Sequence, residues 1–433
     1  MALSHKTSGN GTRQASGVRL RAWGEFVGRR LSDSRTDLVM WTENEMPTKT
    51  IKELTPPMAS SAPAEYESGM RTLLKFVPPH EIPASEDLFS ADVLENHLTA
   101  LGEAPLSLIA VGDIMLGGRA RRRIKEYGRD YPFGAVLPIL QRTPIVLGNL
   151  EGPLAQKAQK LDRNFSYRVK PKLASSLLRA GINVVTLANN HLVDCGRDGV
   201  LETLEALAVA GITSLGAAAN EQAAHEPVIR EAGGLRIGLL GYYWNRRCAA
   251  TASLPGSAMG VFEELETDIR KLRRQVDRVV VTFHWGRPYK PEPSPRARAK
   301  ALFAVDCGAH AVVGHHPHII QAFEIYRRCP IFYSIGNFAF GSGNSRAEGL
   351  MLGFRFEHAR TVVNVYPLYV KNRDPRVNYQ PKLLRGNAAE RMLCRLIEIS
   401  TRSGTCLRIE RGMGRLELPF RNPTRRKKGQ DLA

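Results

Sequence analysis

The sequence predicts an α/β fold with mainly parallel strands, and two observations carry that prediction. From about residue 105, apolar β-branched runs alternate with helical stretches, the order expected of strands packed against helices. Five of the runs stop abruptly at Asp, Glu, Asn or His, and in such sheets ligands gather beyond the carboxyl ends of the strands.

Residues 1–60 are rich in Ser, Thr, Arg and Gly without sustained periodicity, and are expected to be disordered or loosely ordered. Met46, Met58 and Met70 each leave open a later start. Segment 61–104 reads as a linker punctuated by Pro78, Pro79 and Pro83, with a short helical segment near 86–100. The ordered domain spans 105–370, and 371–433 is a C-terminal extension. A strand over 106–112 runs into Asp113, and one over 144–148 into Asn149 and Glu151. The strand over 182–188 delivers Asn189, Asn190 and His191, with Asp194 three residues on. Another lies over 235–243, and the strand over 278–283 ends in His284. The last of the series, 310–314, opens into His315, His316 and His318. On an extended chain residues two apart point the same way, so His316 and His318 are expected on one side. Helices are expected over 133–141, 171–180, 197–210, 263–275 and 295–306. Further sheet is expected over 331–338, 350–356 and 361–370, with Pro367 suiting an edge. A helix over 387–402 follows, and Arg425 to Lys428 form a basic, flexible tail.

A chain of 433 residues that is 43% hydrophobic has ample material for one large core with appended ends. Its six cysteines are scattered without CxxC spacing, which excludes a zinc knuckle or a dense disulfide framework and fits free thiols in a reducing compartment. The formal charge of +19 is uneven, with −3 over 1–105, +12 over 106–360 and +10 over 361–433. Such a balance fits an anionic substrate or polymer, and no nucleic-acid recognition motif accompanies it. No window approaches the roughly 18 apolar residues of a membrane span. The Arg29-Arg30 pair is followed by a polar stretch in place of an export signal's apolar region. The expected location is the cytoplasm, with peripheral docking at a membrane through charge as the alternative.

One strand end in Asp or Asn-His is an ordinary turn; five together point to a binding edge. Mixed carboxylate, carboxamide and imidazole donors suit Mn²⁺, Fe²⁺ or Zn²⁺, and six or more candidates allow two adjacent ions bridged by a carboxylate. Glu151 is the bridging candidate, or else it caps the loop after its strand. His191, oriented by Asp194, suits a general acid for a leaving group, with Asn190 as the ligand; alternatively His191 is itself a ligand. Asn149, Arg246, Arg287 and His315 are the candidates for contacting an anionic substrate. The basic runs at 119–123, 246–247 and 287–290 either converge on the site or are solvated. Tyr242, Tyr243, Trp244 and Trp285 either line a pocket or pack in the core.

The series Gly-Asp-Ile-Met-Leu at 112–116, Gly-Asn-Leu-Glu at 148–151 and Ala-Asn-Asn-His-Leu-Val-Asp at 188–194 continues with His-Trp-Gly at 284–286, Gly-His-His-Pro-His at 314–318 and Gly-Asn-Phe at 336–338. It resembles the bacterial CapA capsule-synthesis family, associated with poly-γ-glutamate capsule and related to the calcineurin-like metallophosphoesterases. The resemblance implies a four-layer α/β/β/α sandwich with two divalent metal ions at one edge. Carried over by position, Asp113, Glu151, Asn190, His284, His316 and His318 are ligands and His191 the acid. Two departures stand out: Met115 where a ligand histidine is usual, which puts the second ion in doubt, and Gly-Asn-Leu-Glu in place of a Gly-Asp motif. The function implied is a metal-dependent hydrolase of phosphoesterase type in poly-γ-glutamate or capsule biosynthesis, with other capsule or envelope synthesis proteins as partners. The alternative is a non-catalytic polyanion-binding component that keeps the fold. Relatives tied to capsule export often carry a membrane anchor, and none is legible here.

Overall fold

The computed structural model describes residues 83–89, 105–161, 166–343, 346, 348–401 and 407–420. The sequence-predicted N-terminal segment and basic tail lie outside these, as does most of the linker. Ser85–Asp87 forms one 3₁₀ turn, followed by strand β1 (Leu88–Phe89), where the sequence has a helix beginning near residue 86.

Two sheets face one another. The larger contains β1, β2 (Leu108–Met115), β3 (Ile145–Leu150), β4 (Val184–Thr186), β5 (Thr213–Leu215) and β14 (Asn337–Phe340). It is completed by β15 (Glu348–Phe356), β16 (Arg360–Tyr369), β17 (Lys382–Leu384), β18 (Arg408–Glu410) and β19 (Met413–Pro419). The smaller sheet contains β7 (Val228–Ala232), β8 (Leu235–Tyr243), β10 (Arg278–His284), β11 (Ala311–His315), β12 (Phe323–Tyr326) and β13 (Cys329–Phe332). A two-stranded ribbon joins β6 (Ala217–Ala218) to β9 (Gly256–Ser257).

Strand periodicity sorts the side chains into layers. Along β10, Val279, Val281 and Phe283 pack with Leu265, Ile269 and Leu272 of α6 (Phe262–Arg273) and Ala301 and Ala304 of α7 (Pro295–Cys307). Val280, Thr282 and His284 therefore face the other sheet. On the larger sheet Ile109, Val111 and Val185 pack against a second helical layer. This layer holds α1 (Ala120–Tyr127), α2 (Leu137–Gln141), α3 (Ala174–Arg179) and α4 (Gly196–Val209). A Cβ on Gly241 of β8 would lie 2.6 Å from Leu215 of β5, so the sheets meet directly. The result is the four-layer α/β/β/α sandwich. The short α5 (Glu221–Ala224) and the C-terminal α8 (Gly386–Ser400) complete the helices of the described residues.

The strands are less uniformly parallel than the sequence predicts. β2 to β5 and β8, β10, β11 and β13 run parallel, but β15, β16, β17 and β19 form an antiparallel meander. Pro367 sits in the interior strand β16, opposite Leu350, and not at an edge. It is tolerated because its other flank falls between the stretches of β16 paired to β19 and to β17, where no ladder partner awaits an N–H. The run 331–338 is two strands, not one; Gly336 at φ +70° turns the chain between them.

Candidate metal centre

Two close backbone approaches build the site. A Cβ at Gly112 would lie 2.1 Å from the Gly336 carbonyl oxygen, and one at Gly314 2.0 Å from that of Tyr333. Only glycine allows the ends of β2 and β11 to close on the same turn. Within β2 the register slips between Val111, opposite Gly148, and Asp113, opposite Asn149. Strict alternation would put Asp113 on the helix-facing side with Ile109 and Val111; the one-residue bulge at Gly112 re-aims it. His316 and His318 lie past the end of β11 with φ +98° and +56°. They are not extended, so the expected same-side geometry is replaced by two left-handed turns, a strain typical of functional sites.

The carboxylates and imidazoles predicted from the strand ends come together in the interior. One group of donor atoms within 4.8 Å of one another belongs to Asp113, Glu151 and His284, and a second to Glu151, His316 and His318. Glu151 is common to both. Its Oε1 lies 3.6 Å from His318 Nε2 and 3.8 Å from the Nε2 atoms of His284 and His191. His318 Nδ1 is 3.0 Å from Asp113 Oδ2. Asn190 Oδ1 meets His284 Nε2 at 2.6 Å. His191 Nδ1 is held by Asp194 Oδ2 at 2.7 Å, which also accepts the Tyr167 N–H, and the Tyr167 ring lies against the imidazole.

The four residues read as substrate contacts fall in different places. Asn149 has no exposed surface; its Nδ2 donates to Asp113 Oδ1 at 2.7 Å and Glu151 Oε2 at 3.3 Å. It holds the carboxylates from behind. His315 is 1% exposed, with Nδ1 3.3 Å from Asp113 Oδ1. Arg246 and Arg287 stand exposed on the loops after β8 and β10. Met115, where the resemblance leads one to look for an imidazole, is buried in the apolar cluster and its Sδ accepts the Gly117 N–H.

Sequence reasoning gives no role to three supports, though it places Asn189 at a strand end. Asn189 donates from Nδ2 to Asn149 Oδ1 and accepts the His191 N–H. Asn337 Oδ1 lies 3.0 Å from His318 Nδ1, and Tyr167 closes the His191 side. The first two lie inside quoted motifs, where an adjacent residue drew the attention; Tyr167 sits in an aperiodic loop that offers no signal.

The donor set fits a divalent cation. Glu151 Oε1, His315 Nε2 and His316 Nδ1 are buried without a hydrogen bond, a cost of about 1–3 kcal/mol each unless something pairs with them. Burial, reinforced by the Asp113 charge, pushes the Glu151 carboxyl well above its usual range. Burial also opposes ionisation of Asp113, but the neighbouring His315 and His318 outweigh it and hold that carboxyl well below its usual range. Burial and His316 keep the His284 ring neutral far below the ordinary histidine value, and burial with His318 brings His316 down to about 4. Neutral imidazoles beside crowded carboxylates are the state in which such side chains ligate.

The profile of the bacterial capsule synthesis protein family PGA_cap matches residues 107–342, more than half of the chain. The capsule biosynthesis protein CapA of Bacillus anthracis is 34% identical over 283 residues, covering 63% of this chain and 69% of that protein. The PGA biosynthesis protein CapA of Bacillus subtilis (strain 168) is 33% identical over 248 residues, 56% of this chain and 65% of that one. Among solved structures, the 5'-nucleotidase precursor from Thermus thermophilus aligns with a TM-score of 0.36 at 16% identity, over 58% of this chain and 52% of that one. The profile match takes in every strand end that supplies the buried cluster, and the chain belongs to the bacterial capsule synthesis protein family PGA_cap.

Proposed function

We propose that this chain is a metal-dependent hydrolase of phosphoesterase type, acting on an anionic substrate in poly-γ-glutamate or capsule biosynthesis. The observation that carries the reading is the convergence of unpartnered, buried carboxylate and imidazole atoms from both sheets. Asp113, Glu151, Asn190 and His284 would hold one ion and Glu151, His316 and His318 another, with Mn²⁺, Fe²⁺ or Zn²⁺ suited to the donors. Such ions, when bound, supply a Lewis acid for a phosphoryl oxygen and an acidified water.

The chain's own side chains do the rest. Asn149 fixes the two carboxylates relative to each other through one amide nitrogen. Asp194 accepts the Nδ1–H of His191 and leaves Nε2 facing the cluster. In the imidazolium form, protonated at both nitrogens, the Nε2 proton would pass to the departing oxygen and leave the neutral Nδ1–H ring on Asp194, the contribution expected of a positioned general acid. Asn337 plays the corresponding orienting part for His318.

Metal analysis of the purified protein, paired with hydrolysis of a generic phosphodiester and of poly-γ-glutamate, tests the reading. Bound divalent metal with metal-stimulated turnover is expected; a metal-free protein inert toward both would refute it.

A second reading, a non-catalytic polyanion-binding component of a polymer-synthesising assembly, draws on Met115, whose side chain lies in the core where an imidazole is absent. Its mark would be salt-sensitive polyglutamate binding that survives loss of His191, without ester cleavage. Among the described residues no helix is long and apolar enough to cross a membrane; association with a membrane surface, on this reading, would run through the basic charge.

A further inference from the structure

Beside the cluster lies a cavity of about 270 Å³ lined by His284 and His316 on one side and by Trp244, Trp285 and the start of α7 on the other. Its chemistry differs from that of the metal centre. Lys300, one of its lining residues, is 4% exposed. Its ammonium donates to the Gly260 carbonyl and lies 3.9 Å from the centre of the Trp244 ring. Among the described residues no carboxylate stands within ion-pairing distance of Lys300, and no second acceptor takes its remaining two protons. A buried ammonium in that condition is costly, and burial with the nearby Arg296 brings its pKa down to about 7.

The helix that carries it reinforces the sign. Ser294 caps α7, its side chain accepting the Ala297 N–H at 3.1 Å, and Pro295 occupies the first turn. Ser294, Arg296 and Ala297 line the same cavity, so the positive end of a thirteen-residue helix faces it. The Arg296 guanidinium lies over the Trp244 ring. An aromatic wall with two cations and a helix N-terminus at one end, and imidazoles at the other, is built for an anion with an apolar stem.

We propose that this cavity is an oxyanion subsite, taking a carboxylate or phosphate that the substrate carries beyond the group handled at the metal centre, with Lys300 as its principal donor. It deepens the hydrolase reading by requiring a substrate with two separated anionic groups. Arg246 and Arg287, outside this lining, are not needed for it.

The test is calorimetric titration of the full-length, metal-loaded protein with two probes, tri-γ-glutamate and inorganic phosphate, in wild type, Lys300→Met and Arg296→Gln. At least one probe is expected to bind the wild type and to lose roughly tenfold or more in affinity in Lys300→Met, and a smaller factor in Arg296→Gln at the exposed rim, with metal content unchanged in both. The probe that shows the dependence identifies carboxylate or phosphate. Absence of binding by either, or equal affinity across the three proteins, overturns the subsite. Should the phosphodiester be hydrolysed with Lys300 irrelevant to binding, the subsite alone falls. Should nothing be hydrolysed while binding depends on Lys300, the subsite stands and the hydrolase reading falls.

Discussion

His191 is where the catalytic reading is most exposed to test. Its ring is fixed at Nδ1 by Asp194 and its Nε2 lies 3.8 Å from Glu151, so its removal should affect proton transfer more than metal retention. His191→Ala is expected to lower kcat for a metal-stimulated phosphodiester by about 10²–10⁴-fold with bound metal unchanged by elemental analysis. Glu151 is the converse case. Because its carboxylate belongs to both donor groups, Glu151→Gln should strip metal from the protein as well as activity, and a variant retaining full metal content would show that the carboxylate is not shared. A third residue reports on stability alone. Burial, with Arg273 and Arg278 nearby, lowers the His310 pKa to about 3, and its Nδ1 accepts the Val279 N–H at 2.9 Å. The folded state thus binds no proton there while the unfolded chain binds one below about 6.5, so unfolding takes up a proton and stability falls as pH drops from about 6.5 toward 3. His310→Asn, which keeps an acceptor and loses the titration, should flatten that acid slope in denaturant melts.

At the level of single elements, the ends of the strands were readable from the chain and the turns that aim them were not. β-Branched runs stopping at Asp113, Glu151 or His284 announce themselves because a buried strand has no ordinary use for such groups. The left-handed backbone at His316 and His318 leaves no comparable trace, since nothing in Gly-His-His-Pro-His specifies a positive φ at a histidine. The split of 331–338 was hidden for a related reason: Ile331 to Phe338 is apolar throughout save Ser334 and Asn337, and only tertiary contact reveals the bend. Lys300 was illegible because Arg-Ala-Arg-Ala-Lys at 296–300 has the look of a solvated helix face until α7 is placed against β8 and β10. Gly314 offers the element-scale test. A methyl group there would press on the Tyr333 carbonyl oxygen at 2.0 Å, and backbone cannot yield as a side chain tip can. Gly314→Ala is expected to cost about 1–3 kcal/mol of stability, read by chemical denaturation, and to lower metal affinity by displacing the His316–His318 turn.

Across the whole molecule the donors come from opposite sides: Asp113 and Glu151 from the larger sheet, His284 and the turn after β11 from the smaller. A cation bound by both tethers the two sheets, and by mass action it stabilises the folded state by about 2.7 kcal/mol at a hundredfold excess over Kd. Addition of Mn²⁺ or Zn²⁺ should therefore raise the thermal midpoint by several degrees, and Asp113→Ala should abolish the rise; an unchanged midpoint in the wild type would argue against a tether. The alternating pattern made the parallel halves of both sheets predictable. The antiparallel meander was not, because β15 to β17 add sheet without intervening helices, and strand direction is invisible in a β-branched run.

The single extra residue in β2 has an evolutionary corollary. Upstream of Gly112 the strand serves the apolar interior alone, while downstream Asp113 serves the site and Ile114 and Met115 return to the core, so the offset admits one polar residue without disturbing the packing on either side of it. Deleting Gly112 would place Asp113 directly after Val111, still on the face toward the other sheet and in register with Asn149, so what the deletion should cost is the close seat against the Gly336 carbonyl and not the direction of the carboxylate.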